Sequence, residues 1–210
     1  MDGPPLPVGG PSWAAVAPDG ALDAARVAAR IGAYCWVEQQ LFSVLGGWVV
    51  DIAEPDAKAL VAEHAEHAGW RAQRWFELLP TAAPGADALV VAPSGMADAL
   101  VRAADEGNGS ERTVEKLAIA HRALGARLLA AYTAHLDWAP SVSEAAIRRT
   151  LAIAGVDLAD DGRHGERLLQ ALTPAPADRD RARLAAAAVD EAVASAGGVV
   201  GNGTVGDRSL

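Results

Sequence analysis

The side chains able to do chemistry in this sequence fall where helices should be apolar. Read with heptad spacing, one segment gives Val27, Ile31, Tyr34, Glu38, Leu41, Leu45 and Trp48, so that Glu38 is the single carboxylate on an apolar line. A carboxylate facing a helical core is costly unless it is paired, protonated or metal-bound. A second segment reads Ala57, Leu60, His64, Ala68, Arg71 and Trp75, with His67 at its edge, so Glu63, His64, Glu66 and His67 crowd one turn with donor atoms. A third carries His121 and His135 on the line Val114, Leu117, His121, Leu124, Leu128, Ala131, His135. A fourth (Ile147, Leu151, Ala154, Leu158, Asp161, Gly165, Leu168, Leu172) turns Asp161 inward, with His164 three residues on.

Mixed carboxylate and imidazole donors suit iron, manganese or zinc. An ion with an open coordination position can activate water or dioxygen. The expected ligands are Glu38, Glu63 or Glu66, His67, Asp161 and His164, with His64 and His121 as the next choice. Each has a plainer reading beside it. Glu38 pairs with Arg71 or Arg122 as a structural ion pair, the 63–67 turn is a solvated face, and His121 and His135 are satisfied core histidines.

The elements that must position these residues are helices throughout. The chain of 210 residues is rich in alanine and 51% apolar, which favours helix and close helix contacts. Helix A is expected over about 22–50 with Asp19 as its cap. Helix B is opened by Glu54-Pro55-Asp56 and ended by Pro80. A connection of roughly 30 residues follows, with a short helix near 96–104 and Leu89-Val90-Val91 as the nearest approach to a strand. Helix C spans about 111–138, and Ser141-Val-Ser-Glu144 reads as a capping box for helix D, which extends to about 172. A last helix covers about 179–195. Two hairpins joined by one long link predict an all-α fold, an antiparallel four-helix bundle with a long B–C crossover plus a C-terminal helix. Residues 1–18 read as a flexible arm and 196–210 as a flexible Gly-rich tail, flanking one domain over 19–195.

On the segments Tyr34-Cys-Trp-Val-Glu38, Glu63-His-Ala-Glu-His67 and Asp161-Gly-Arg-His164, the chain resembles the ferritin-like superfamily, at the level of architecture over about 22–172. That resemblance implies a bundle with a non-haem metal centre, fed by one carboxylate from helix A, a Glu-x-x-His from helix B, a carboxylate from helix C and a second such set from helix D. The spelling departs from it: Glu63 precedes His67 by four, Asp161 stands for Glu, and His121 stands where a Glu belongs. The DinB-like bundles hold a three-histidine site with a His-x-x-x-His pair, where this chain has His64-x-x-His67.

The net charge of −9 argues against nucleic acid and anionic membranes. A lone cysteine, Cys35, permits no internal disulfide. With neither a leader-like start nor a long apolar run, a cytoplasmic protein is expected. Two functions stay open: a metal-dependent oxidoreductase of unknown substrate, or a metal-free ferritin-like bundle acting as a homodimeric scaffold or partner-binding module through faces around Trp36, Trp48, Trp70 and Trp75.

Overall fold

The computed structural model describes residues 22–200, all regular elements of which are helical. The arm at 1–18 and the cap at Asp19 lie outside the described residues. Helix α1 (Ala24–Asp51) is capped by Asp23, whose Oδ1 accepts from the Arg26 amide at 2.7 Å. Helix α2 (Pro55–Glu77) opens on its proline, whose missing N–H would have found no partner in the first turn anyway. The two run antiparallel: Cys35 donates to the Ala72 carbonyl at 3.4 Å, Glu38 meets Arg71, and the Phe42 ring lies against Gly69.

The long connection holds α3 (Ala86–Leu89) and α4 (Met96–Glu106). The Leu89-Val90-Val91 stretch therefore ends a short helix instead of approaching a strand. Its backbone is pressed onto α1, since a Cβ at Gly32 would stand 1.9 Å from the Leu89 carbonyl oxygen. Only glycine permits that approach. Helix α4 turns Met96, Ala99, Leu100 and Ala103 inward.

The third long helix is interrupted. It comprises α5 (Thr113–Ala118), a π-helical stretch Ile119–Gly125, and α6 (Ala126–Trp138). A Cβ at Gly125 would lie 2.9 Å from the Ala120 carbonyl oxygen, so glycine eases the crowding where this wider turn closes. Helix α7 (Ala145–Leu172) returns antiparallel to it, with Arg148 bonded to the Leu136 and Ala139 carbonyls and Arg122 bonded to Glu166. The expected capping box is absent. Glu144 occupies the N-cap, but its side chain caps nothing and faces His135 at 3.3 Å instead. Helix α8 (Pro176–Ser195) covers α4, α5 and the π stretch.

The tail was expected to be flexible over 196–210, of which 201–210 lie outside the described residues. Ala196, Val199 and Val200 are instead buried, because apolar side chains with a core surface within reach gain by covering it. Trp75, Tyr34 and Tyr132 lie at the centre of the core, each at most 1% exposed, and pack within about 5 Å of one another. Losing such an aromatic side chain costs roughly 3–5 kcal/mol. Among the described residues no helix is long and apolar enough to cross a membrane.

Candidate functional site

Four helices bring polar side chains to one level of the core. Glu38 on α1 is fully buried. Its Oε1 accepts from Arg71 Nε at 2.6 Å and from the Tyr132 hydroxyl at 2.8 Å, and Tyr132 in turn accepts from Trp75 Nε1 at 2.8 Å. Glu38 Oε2 has no hydrogen-bond partner among the described residues. Arg71 also reaches α7, where Nη1 donates to Asp161 Oδ2 at 3.0 Å. The other Asp161 oxygen faces His67 Nδ1 at 2.7 Å and His64 Nε2 at 3.5 Å. One guanidinium thus lies between two buried carboxylates, and two imidazoles flank the second of them.

His121 completes the group from the π stretch. Its ring meets His64 edge-on with centroids 5.0 Å apart. It packs so closely on α7 that a Cβ at Gly165 would stand 2.0 Å from His121 Cδ2. Both ring nitrogens of His64 and Nε2 of His121 are buried without a hydrogen-bond partner among the described residues. Beside them is a cavity of about 30 Å³, bordered by Leu41, His64, Arg71, His121, Leu158 and Asp161. Unpaired buried polar atoms are rare in folded proteins and often face a water or an ion. π-Helical turns also occur frequently at functional sites.

The electrostatics follow from burial. It pushes the Glu38 carboxyl up, against the opposing pull of the Arg71 guanidinium and the Tyr132 hydroxyl. For Arg71 burial works downward, but Glu38 outweighs it and the guanidinium is held charged. Burial lowers His64, against the opposing charge of Asp161, and lowers His121 to about 4, so both rings are neutral bases at neutral pH. The Tyr132 hydroxyl is raised by burial and by Glu38.

Of the expected ligands, the structure gathers Glu38, His64, His67, His121 and Asp161. Glu63, Glu66 and His164 are exposed. The two glutamates occupy the outer side of α2 because His64 and Ala68 take the inner one, and His164 is carried outward when Asp161 and Gly165 face the core. Glu38 lies level with Arg71, beyond the expected position near Glu66, so the hairpin closes a little over one turn further along α2. Of the two arginines open to Glu38, Arg71 takes it, and Arg122 bonds Glu166 on an outer face.

His135 belongs to a separate cluster. It lies between the Tyr34 hydroxyl at 3.2 Å and Glu144 at 3.3 Å, and its ring stacks on Trp138. Burial lowers it to about 3. It is a satisfied core histidine.

The sequence reading missed Tyr132 and the reason for Gly165. The heptad line put Ala131 inward, but Ala131 is half-buried and Tyr132 is 1% exposed. The positions on either side, Leu128 and His135, are inward as expected, and only the step between them differs, running four residues then three where the heptad line ran three then four. The signal was present as Leu128, Tyr132 and His135, whose spacing marks one helical face.

This donor set does not match the two-ion carboxylate centre implied by the ferritin-like resemblance, since Arg71 already occupies both carboxylates. As the side chains stand, no three histidine, cysteine, aspartate or glutamate groups among the described residues converge to grip one ion. No protein-family model matches the chain, and no significant match is found among curated proteins or solved structures.

Proposed function

We propose that this chain is a ferritin-like four-helix bundle with a long crossover, whose core binds a single divalent transition ion through His64, His67, His121 and Asp161. The observation that carries this reading is the set of buried imidazole nitrogens on His64 and His121 that lack a hydrogen bond among the described residues, His64 Nε2 standing 3.5 Å from Asp161, beside a small cavity that Asp161 also borders. Two neutral imidazoles, a third imidazole bonded to a carboxylate, and the carboxylate itself suit zinc, iron(II) or manganese. Such an ion with an open position would supply Lewis acidity and would lower the pKa of a bound water, the chemistry used by metal-dependent oxidoreductases and hydrolases. To bind it, Asp161 and His67 must turn toward the cavity. Arg71 and Glu38 stay outside the donor set. Arg71 orients Asp161 through Nη1, and Glu38 with Tyr132 fixes Arg71 in turn, the kind of outer support that tunes a metal ligand.

A second reading rests on Arg71. Its guanidinium already compensates Glu38 and Asp161, so the charge of the core is partly balanced by the chain itself. On that reading the bundle is metal-free and works through its surface, as a homodimer or a partner-binding module.

Elemental analysis separates the two. Protein purified in zinc, iron(II) or manganese should carry close to one ion per chain. A His64→Ala, His121→Ala double variant should lose it, and Glu38→Gln should keep it. No ion under any of these conditions would eliminate the metal reading and leave the structural bundle.

A further inference from the structure

A cleft of about 400 Å³ opens between α2 and α7, bordered by Trp70, Arg71, Arg74, Thr150, Ile153 and Asp157. Its volume is that of a site for a small organic molecule. Three features of its lining define the chemistry of an occupant. First, the apolar walls are presented to solvent, with Trp70 62% and Ile153 53% exposed. An exposed indole and an aliphatic side chain on one cleft suit an occupant with a flat apolar ring. Second, the cleft has a cationic side. Arg74 is an exposed guanidinium whose partner, Glu77, lies on its own helix, and an exposed pair of that kind is weak enough to be exchanged. Arg71 also borders the cleft, but it is buried, with Nε on Glu38 and Nη1 on Asp161, so Arg74 is the exchangeable cation. An exposed guanidinium beside an aromatic side chain matches a planar carboxylate. Third, the cleft adjoins the buried cluster, because Arg71 borders both the cleft and the small cavity, and Trp70 packs against His67 at 5.7 Å.

We propose that this cleft binds a planar aromatic carboxylate, its ring against Trp70 and Ile153 and its carboxylate on Arg74. Asp157 on the rim disfavours a dianion and leaves room for one negative charge on the ligand. The inference deepens the proposed metal reading by giving the substrate class of that centre. It rests on that reading for the ligand being transformed, and not for its being bound.

Calorimetric titration with 2-naphthoate tests it, with 2-naphthalenemethanol as the neutral counterpart of the same shape. Trp70→Ala and Arg74→Glu are the variants, since both side chains are exposed and neither holds the core together; their melting temperatures check that the fold is kept. Saturable binding of the acid is expected, with the alcohol and each variant weaker by about tenfold or more, as loss of a charged or stacked contact implies. Absence of saturable binding to the wild type, equal binding of the alcohol, or unchanged affinity in either variant overturns the proposal. Metal content is measured on the same samples. A metal-free protein that binds naphthoate removes the metal centre and keeps the cleft, and a loaded protein that ignores naphthoate does the reverse.

Discussion

At the scale of single residues, Arg71 organises the core. Its guanidinium joins Glu38 on α1 to Asp161 on α7 across 2.6 Å and 3.0 Å contacts. Removing one member of a buried pair leaves a charge without compensation, which costs roughly 3–5 kcal/mol, whereas replacing both by apolar groups is often close to neutral. Glu38→Ala strips Arg71 and Tyr132 of their shared acceptor and should lower stability by about that amount in urea denaturation. In the Glu38→Leu, Arg71→Met, Asp161→Asn triple variant, which leaves no carboxylate of the trio unpaired, the added substitutions should restore part of the loss. Strictly additive losses would show that the three side chains act independently and that the network is incidental.

At the scale of elements, the decisive contact lies between the π stretch and α7. His121 packs where any side chain at position 165 would stand, since a Cβ there falls 2.0 Å from its ring. Gly165→Ala should therefore destabilise by about 1–3 kcal/mol through overpacking, and His121→Ala added to it should recover most of the loss. If Gly165→Ala is as stable as the wild type, His121 is free to move and does not define the cavity. The same contact marks the limit of what the sequence disclosed. Pro55, Pro80, Pro140 and the prolines near 176 mark where helices begin and end, because a proline amide cannot continue a hydrogen-bond ladder. The apolar stripes placed Glu38, His64, His121 and Asp161 inward. Hydrophobic spacing carries no sign of a π turn, and between Leu128 and His135 it permits a step of three or of four, so Tyr132 was passed over for Ala131. The choice of Arg71 over Arg122 as the partner of Glu38, and the burial of Val199 and Val200, depend on contacts between distant segments that no local pattern reports.

At the scale of the whole molecule, buried bases make stability depend on pH. The folded state holds His121 near 4 against an ordinary value of 6.5. Between those values the unfolded chain binds more protons than the folded one, so stability is complete above pH 6.5 and is lost as the pH falls toward 4. The loss is about 3 kcal/mol for His121. Glu38 and Glu144, both pushed up by burial, act in the opposite sense at the acid end. The comparison that isolates the imidazole is the melting temperature of chelator-treated wild type and His121→Gln across this range. The wild type should lose stability more steeply on acidification, and parallel curves would show that His121 is not held neutral by the fold. The position of Arg71 has a further consequence, concerning exchange. A bundle whose buried carboxylates depend on a metal for charge balance folds only when the metal is present, so that folding and loading become one event. This chain carries a cation of its own, covalently fixed, at the level where the carboxylates meet. Any ion that enters the histidine cluster therefore meets a core already assembled, and it can arrive and leave by simple mass action. Its occupancy would follow the free concentration of the ion, like a reversible ligand and unlike a structural part.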